Sequence, residues 1–208
     1  LMGLGAYPAS DGQYLGMIGM HGTDAAAKAF RRADAVIACG MRFSDRVAGN
    51  REKFREGKPI IQFDIDAAEI DKNVPADLSV MADVNESLKS LLPLLEQGER
   101  KEWLKEVSAY KEYEAAHFDS GLPAYRILSA LKNFTDADTP VATDVVQHQM
   151  WAAQFCAFDK PRTFISSGGL GTMGFGMGAA IGACVGTGKK TVLVTGDGSF
   201  HMNLNELC

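Results

Sequence analysis

Residues 191 to 203 read TVLVTGDGSFHMN, so an apolar run from Thr191 to Val194 leads into a carboxylate, Asp197, held between Gly196 and Gly198. A short apolar run suits a buried parallel strand, and the glycines after it let the backbone turn sharply or approach a ligand. At the carboxyl end of such a strand an unpaired carboxylate can hold Mg²⁺, a hard cation that takes oxygen ligands and bridges protein carboxylates to a diphosphate. A turn aspartate capping a helix that starts near Ser199 accounts for the same residues. Glycine usage bears on the choice, because 11 of the 22 glycines fall between Gly168 and Gly198. In SSGGLGTMGFGMGAA, from Ser166, they follow an extended stretch and precede a helix, where open parallel sheets bind ligands. Small residues also let a helix pack closely on a sheet, but this density favours backbone approach to a cofactor. GTGKKT at 186 to 191 is not a phosphate-binding P-loop, because Lys190 stands where that motif needs Ser or Thr, and its glycines follow a helix and enter a strand.

The elements that must position these residues alternate. In the first half, DAAAKAFRRAD (24–34) is helical, the run Ala35 to Ala38 is a strand closed by Gly40, and Ile60 to Ile65 is a second strand. DVNESLKSLLPLLEQ is a helix that Asp83 or Asn85 can cap. The charged stretch from 96 to 121 suits an exposed helix or linker with a solvated face. The second half begins again: a helix opened by Pro123, a strand in TPVATDVV, a helix in QMWAAQFCAF, an extended RTFIS, a small-residue helix and the strand at 191. Strand and helix in alternation indicate an α/β protein of two doubly wound parallel-sheet units. No internal repeat is evident.

Composition narrows the class. The chain has 208 residues, 46% of them hydrophobic without a long apolar run, which points to a soluble globular protein and away from the membrane. A net charge of -5 with no basic block argues against electrostatic capture of nucleic acid. Cys39, Cys156, Cys184 and Cys208 share no short spacing, which fits neither a zinc site nor a disulfide framework and suits a reducing cytoplasm. Leu1 is not an initiator and LNELC has mid-helix character, so the chain reads as a fragment.

The order SSGGLGTMGFG followed by GDGSF resembles the thiamine-diphosphate enzymes. With QHQMWAAQ (147–154), LGMIGMHGT (15–23) and GMRFSDRVAGN (40–50), nearly the whole chain resembles the catalytic subunits of the acetolactate synthase (acetohydroxyacid synthase) family. The resemblance implies the later part of a central FAD-binding domain in 1–97, a charged linker in 98–120 and the earlier part of a diphosphate-binding domain in 121–208. It implies that Asp197 holds Mg²⁺ with Gly198 and Ser199 nearby, that Gln147 and His148 meet the diphosphate, and that Gly171 and Met173 contact the aminopyrimidine, the Met173 side chain wedging the cofactor into its bent shape. It implies that His21, Gly40 and Arg42 line the flavin or its phosphates, and that Asp64, Ile65 and Asp83 serve its adenosine and ribityl parts. Met20, Asp45 and Arg46 would form the substrate pocket, Arg46 orienting the carboxylate of a second 2-oxoacid. Three positions depart from the family pattern: Val146 and Ala82 stand where Gly is usual, and Ser44 where Asp is common.

The implied reaction decarboxylates pyruvate on thiamine diphosphate and joins the remainder to a second pyruvate or 2-oxobutyrate, toward branched-chain amino acids. The implied setting is a cytoplasmic homo-oligomer, with a regulatory small subunit as a further partner. The family's glutamate-bearing pyrimidine domain and a distal metal-ligating Asn have no counterpart here, so the chain alone is expected to be inactive. Two alternatives stand beside this reading: another thiamine-diphosphate carboligase, oxidase or decarboxylase, and a non-catalytic nucleotide-binding module.

Overall fold

A computed structural model describes every residue except Ser120 and Leu122, which end the charged stretch and precede Pro123. The described residues form two compact units, one of residues 18–110 and a second in which residues 1–17 pack with 111–208.

The first unit opens with helix α1 (Asp24–Arg32), started by the Thr23 hydroxyl, which accepts from the Ala26 amide at 3.2 Å. Asp24 in its first turn and Arg31 and Arg32 in its last match the helix dipole, and Ala25, Ala26 and Ala29 form its buried side. Strand β1 (Val36–Cys39), the short helices α2 (Asp45–Ala48) and α3 (Arg51–Arg55), strand β2 (Ile60–Asp64) and strand β3 (Leu78–Met81) follow. The strands form a parallel sheet in the order β1-β2-β3. Its core gathers Ala38, Phe43, Ala48, Phe54, Ile60 and Val74, with the Phe30 and Phe54 rings 4.4 Å apart. Helix α4 (Val84–Leu91) is capped by Asp83, whose Oδ1 accepts from the Glu86 amide at 3.1 Å. The charged stretch is helix α5 (Lys101–Asp119), mostly exposed, with Val107 buried.

The second unit contains helix α6 (Pro123–Ala130), strand β4 (Val141–Thr143), helix α7 (Gln147–Phe155), strand β5 (Phe164–Ser166), helix α8 (Phe175–Thr187), strand β6 (Val192–Val194) and helix α9 (Asp197–Met202). Its strands are also parallel, in the order β5-β4-β6. All of β4 is buried, as expected of the middle strand. Leu4, Val141, Ala153 and Phe158 form a core with Met17, Phe164, Val192 and Val194 packed against it. Leu4 and Met17 explain why the first residues of the chain belong to this unit. Helix α8 ends at Gly188, at φ 67°, where the backbone donates to the Cys184 carbonyl. GTGKK is therefore a helix end, in agreement with the rejection of a P-loop.

The α/β expectation holds: two three-stranded parallel sheets with flanking helices. Strand β3 was not expected from the sequence, because LSVM is short and its strand exposes Leu78, Ser79 and Met81.

Candidate functional site

Strand β4 lies between β5 and β6, so the chain leaves it first to one side and then returns to the other. Ligand crevices in parallel sheets open beyond the carboxyl ends of the strands that flank such a reversal. At that edge β4 runs through Asp144, Val145 and Val146 into Gln147 and His148, and β6 runs through Thr195 and Gly196 into Asp197.

The expected residues of this unit meet there. A Cβ placed on Gly196 would stand 3.2 Å from His148 Cε1, and one on Gly198 would stand 3.4 Å from Met173 Cε. Gly196 is the N-cap of α9 and Asp197 its first helical residue, exposed to solvent. The Asp197 carboxylate thus does not cap the helix, against the alternative that it is a turn aspartate. Gln147 and Gly171 are exposed, Gly171 at φ 67°, and Ser199 is buried. The His148 Nε2 is shielded from solvent and has no hydrogen-bond partner among the described residues. Burial lowers the His148 pKa from its ordinary 6.5, with the nearby Asp144 carboxylate acting in the opposite direction. Val146, just before Gln147, sits at φ 95° and ψ -149°, backbone that glycine adopts readily and a β-branched residue only under strain.

Sequence reasoning missed the polar groups beneath this edge. Asp144 is 1% exposed. Its Oδ1 accepts from the Gly176 amide at 2.9 Å and its Oδ2 from the Thr195 hydroxyl at 2.7 Å. Thr143 and Ser166 share a hydroxyl bond of 2.8 Å, and the Gln149 amide donates to Ser166 Oγ at 2.6 Å. The available signal was the pair Thr143-Asp144, two polar residues closing a strand that is otherwise apolar.

In the first unit, Gly40 follows β1, Asp64 ends β2 with Ile65 after it, and Asp83 stands two residues past β3, so the sheet order lines them along one edge. Gly40 sits at φ 60°, and a Cβ placed on it would meet open space. Asp64 is buried, and its Oδ1 accepts from the Asp66 amide at 2.9 Å. Ile65 is exposed. Arg42 Nε lies 3.6 Å from Glu69 Oε2, with its side chain largely exposed. The Met20 amide donates to the Arg46 carbonyl at 2.8 Å. A Cβ on Gly19 would stand 2.7 Å from that same oxygen, so LGMIGMHGT can seat on α2 only through a glycine there. Met20, His21, Asp45 and Arg46 all show exposed surface.

Two family models match the chain: the thiamine pyrophosphate enzyme central domain over residues 1–91, and the thiamine pyrophosphate enzyme C-terminal TPP binding domain over residues 144–208. The chain belongs to the thiamine-diphosphate enzyme family. Among its relatives, the acetolactate synthase isozyme 3 large subunit of Escherichia coli (strain K12) is 40% identical across all of this chain, which spans 38% of that protein. The acetolactate synthase large subunit of Haemophilus influenzae is 42% identical, again over the whole chain and 38% of the relative. The chloroplastic acetolactate synthase of Arabidopsis thaliana is 42% identical over the whole chain and 32% of the relative.

The donor set of the second unit fits the diphosphate of that cofactor. The orphaned His148 Nε2 lacks a partner that a phosphoryl oxygen can be, once that nitrogen carries the proton. Among the described residues no group of three or more His, Cys, Asp or Glu is placed to hold a metal. A single carboxylate suffices for Mg²⁺ where phosphate oxygens and water supply the remaining ligands, and Asp197 is exposed at this edge. No helix among the described residues is long and apolar enough to cross a membrane.

Proposed function

We propose that this chain carries the cofactor-binding part of an acetolactate-synthase-type catalytic subunit, with the later part of the central domain in 1–97, the linker in 98–120 and the earlier part of the diphosphate-binding domain in 121–208. The observation that carries the reading is the convergence of His148, Met173 and Asp197 to Ser199 at the reversal point of the second sheet. Identity of 40% and 42% to acetolactate synthases across the whole chain supports the same reaction class.

Thiamine diphosphate, when bound, supplies the electron sink for decarboxylation of a 2-oxoacid. The chain's residues bind and orient it. Asp197 would hold Mg²⁺, Gln147 and His148 would donate to the diphosphate oxygens, and Met173, whose Cε lies beside Gly198, would contact the cofactor. FAD would be held at the carboxyl edge of the first sheet by His21, Gly40, Arg42, Asp64, Ile65 and Asp83. Arg46, beside Met20 and Asp45, takes the carboxylate of the second 2-oxoacid, pyruvate or 2-oxobutyrate, through its guanidinium fork. The protein works in the cytoplasm as a homo-oligomer with a regulatory small subunit.

The test is Asp197→Asn, which keeps an oxygen and loses the charge that balances the cation. Thiamine diphosphate titrated at several Mg²⁺ concentrations should bind at least roughly tenfold more weakly at limiting Mg²⁺, a loss no smaller than that caused by removing a ligand's supporting partner. Unchanged affinity at limiting Mg²⁺, with the variant folded by circular dichroism, would defeat the metal assignment.

A further inference from the structure

The buried carboxylate of Asp144 faces the site without reaching its surface. It stands one residue past β4, and no lysine or arginine pairs with it among the described residues. Its two oxygens reach two other segments. Oδ1 accepts from the Gly176 amide, in the first turn of α8, whose own N-cap, Gly174, offers no side chain. Oδ2 accepts from the Thr195 hydroxyl, just before Gly196 and Asp197. The Asp144 amide donates to the Val194 carbonyl at 3.1 Å, which extends the β4 to β6 pairing past the strand ends.

These bonds have a common geometry. One carboxylate satisfies an amide that the α8 terminus would otherwise bury unpaired, places negative charge at the positive end of that helix, and holds the turn that presents Asp197. Gly176 admits this only without a side chain, since a Cβ there would lie 2.7 Å from Asp144 Oδ2 and 2.8 Å from the Asp144 amide nitrogen. The loop carrying Gly171 and Met173 enters α8 at this point, and His148 follows in the first turn of α7. Their spacing is thereby referred to one buried group.

We propose that Asp144 is a positioning residue for the thiamine-diphosphate site, tying the start of α8 and the Thr195 turn to the end of β4 so that the Met173, Asp197 and His148 segments keep a single spacing before the cofactor arrives. The proposal rests on the functional reading above, and its test separates the two.

Three variants of this chain serve: Asp144→Ala, which removes both acceptors; Thr195→Val, which removes one donor while keeping the shape; and Asp144→Asn, whose amide can still accept from Gly176 and donate to a reoriented Thr195 hydroxyl. The first readout is amide hydrogen exchange without ligand. The second is the affinity for thiamine diphosphate at saturating Mg²⁺, well below the melting temperature of each variant. Asp144→Ala should speed exchange at 175–177 and 195–199, leave exchange in 18–110 unchanged, and weaken binding about tenfold or more, with Thr195→Val in between and Asp144→Asn within about threefold of the parent. Faster exchange spread over the whole second unit, with binding weakened only in proportion to unfolding, would reduce Asp144 to a stability role and overturn the proposal. Full affinity in Asp144→Ala or in Thr195→Val would overturn it too. Should Asp144→Ala not fold, Thr195→Val and Asp144→Asn decide alone: a local exchange change and weaker binding in Thr195→Val, both absent from Asp144→Asn, support it, and parent-like Thr195→Val defeats it. A parent chain that shows the protected 175–177 and 195–199 amides yet binds no thiamine diphosphate would sink the functional reading, while the exchange data still report on the tie itself.

Discussion

The two sheets present their carboxyl edges in different ways. In the second unit the edge rests on buried side chains that bond across segments: Asp144 to Gly176 and Thr195, and Thr143 with Ser166 and Gln149. In the first unit the corresponding edge has Gln62, buried and donating to the Met41 and Glu69 carbonyls at 3.3 and 3.2 Å, and Asn73, donating to the Arg42 carbonyl at 3.0 Å, but its expected ligand-facing residues rest on local turns and backbone bonds. Asp64 closes a turn with Asp66, Asp83 caps its own helix, and Met20 is joined to Arg46 through main-chain atoms. The expected ligand-facing side chains of that unit, Arg42 and Arg46, stay in solvent. A network of buried polar groups fixes a site before a ligand binds, since each unpaired member is costly, whereas an edge of local turns tolerates side-chain change.

The largest effect that would test this contrast is a methyl group on one glycine of each edge. Gly176→Ala drives a Cβ against the Asp144 backbone and should destabilise the second unit by about 3 kcal/mol, near the upper end for overpacking. Gly40→Ala meets open space and only a left-handed φ, so about 1 kcal/mol is expected in the first unit. Trp103 and Trp151 report on the two units separately, so urea unfolding of each variant in Trp103→Phe and Trp151→Phe backgrounds measures both. Equal losses would erase the contrast.

Arg46→Ala sharpens it from the other side. The exposed guanidinium makes no ion pair among the described residues, so stability should change by less than about 0.5 kcal/mol. Capture of the second 2-oxoacid in the complete enzyme should fall about tenfold or more, the scale of a lost charged hydrogen bond, while decarboxylation of the first is spared. Equal loss in both steps, resolved by single-turnover kinetics, would remove Arg46 from the carboxylate-binding role.

Val146 is a smaller test, and its sign is opposite. Strain at φ 95° costs about 1–3 kcal/mol, and glycine adds back about 0.5–1 kcal/mol of chain entropy, so Val146→Gly should stabilise the second unit by roughly 1 kcal/mol. Its side chain is 61% exposed and has little packing to lose. Destabilisation in the same urea assay would show that the valine side chain contributes more than its backbone strain takes away.

The smallest expected effect follows from His148. Its folded pKa is depressed by burial, so the unfolded chain takes up the proton first on acidification. Stability is intact above the ordinary value of 6.5 and declines as pH falls below it toward the folded pKa. His148→Gln should flatten that decline in urea midpoints measured between about pH 7 and pH 5. A parent and variant with parallel pH profiles would show that burial does not hinder protonation of the His148 imidazole.

Much of this protein is written locally. Apolar runs closed by glycine or an acidic residue marked β1, β2, β4 and β6, because a buried parallel strand needs continuous apolar side chains and its carboxyl end needs a turn. The motif glycines were legible from their density after a strand: Gly196 abuts His148, where a side chain would be tight, and Gly198 lies beside Met173. A capped start to DVNESLKSL was legible with Asp83 or Asn85 as the cap, and the structure assigns it to Asp83. Other features depend on which distant segments meet. Strand β3 exists because Leu78 to Met81 pair with β2, a gain in backbone hydrogen bonds that LSVM does not announce. Residues 1–17 join the second unit because Leu4 and Met17 find their apolar partners there. Asp144 stood unmarked within TPVATDVV, which reads as a strand. Its oxygens acquire partners 32 and 51 residues away only when α8 and β6 fold against β4, and the burial that makes it consequential does not exist in the unfolded chain.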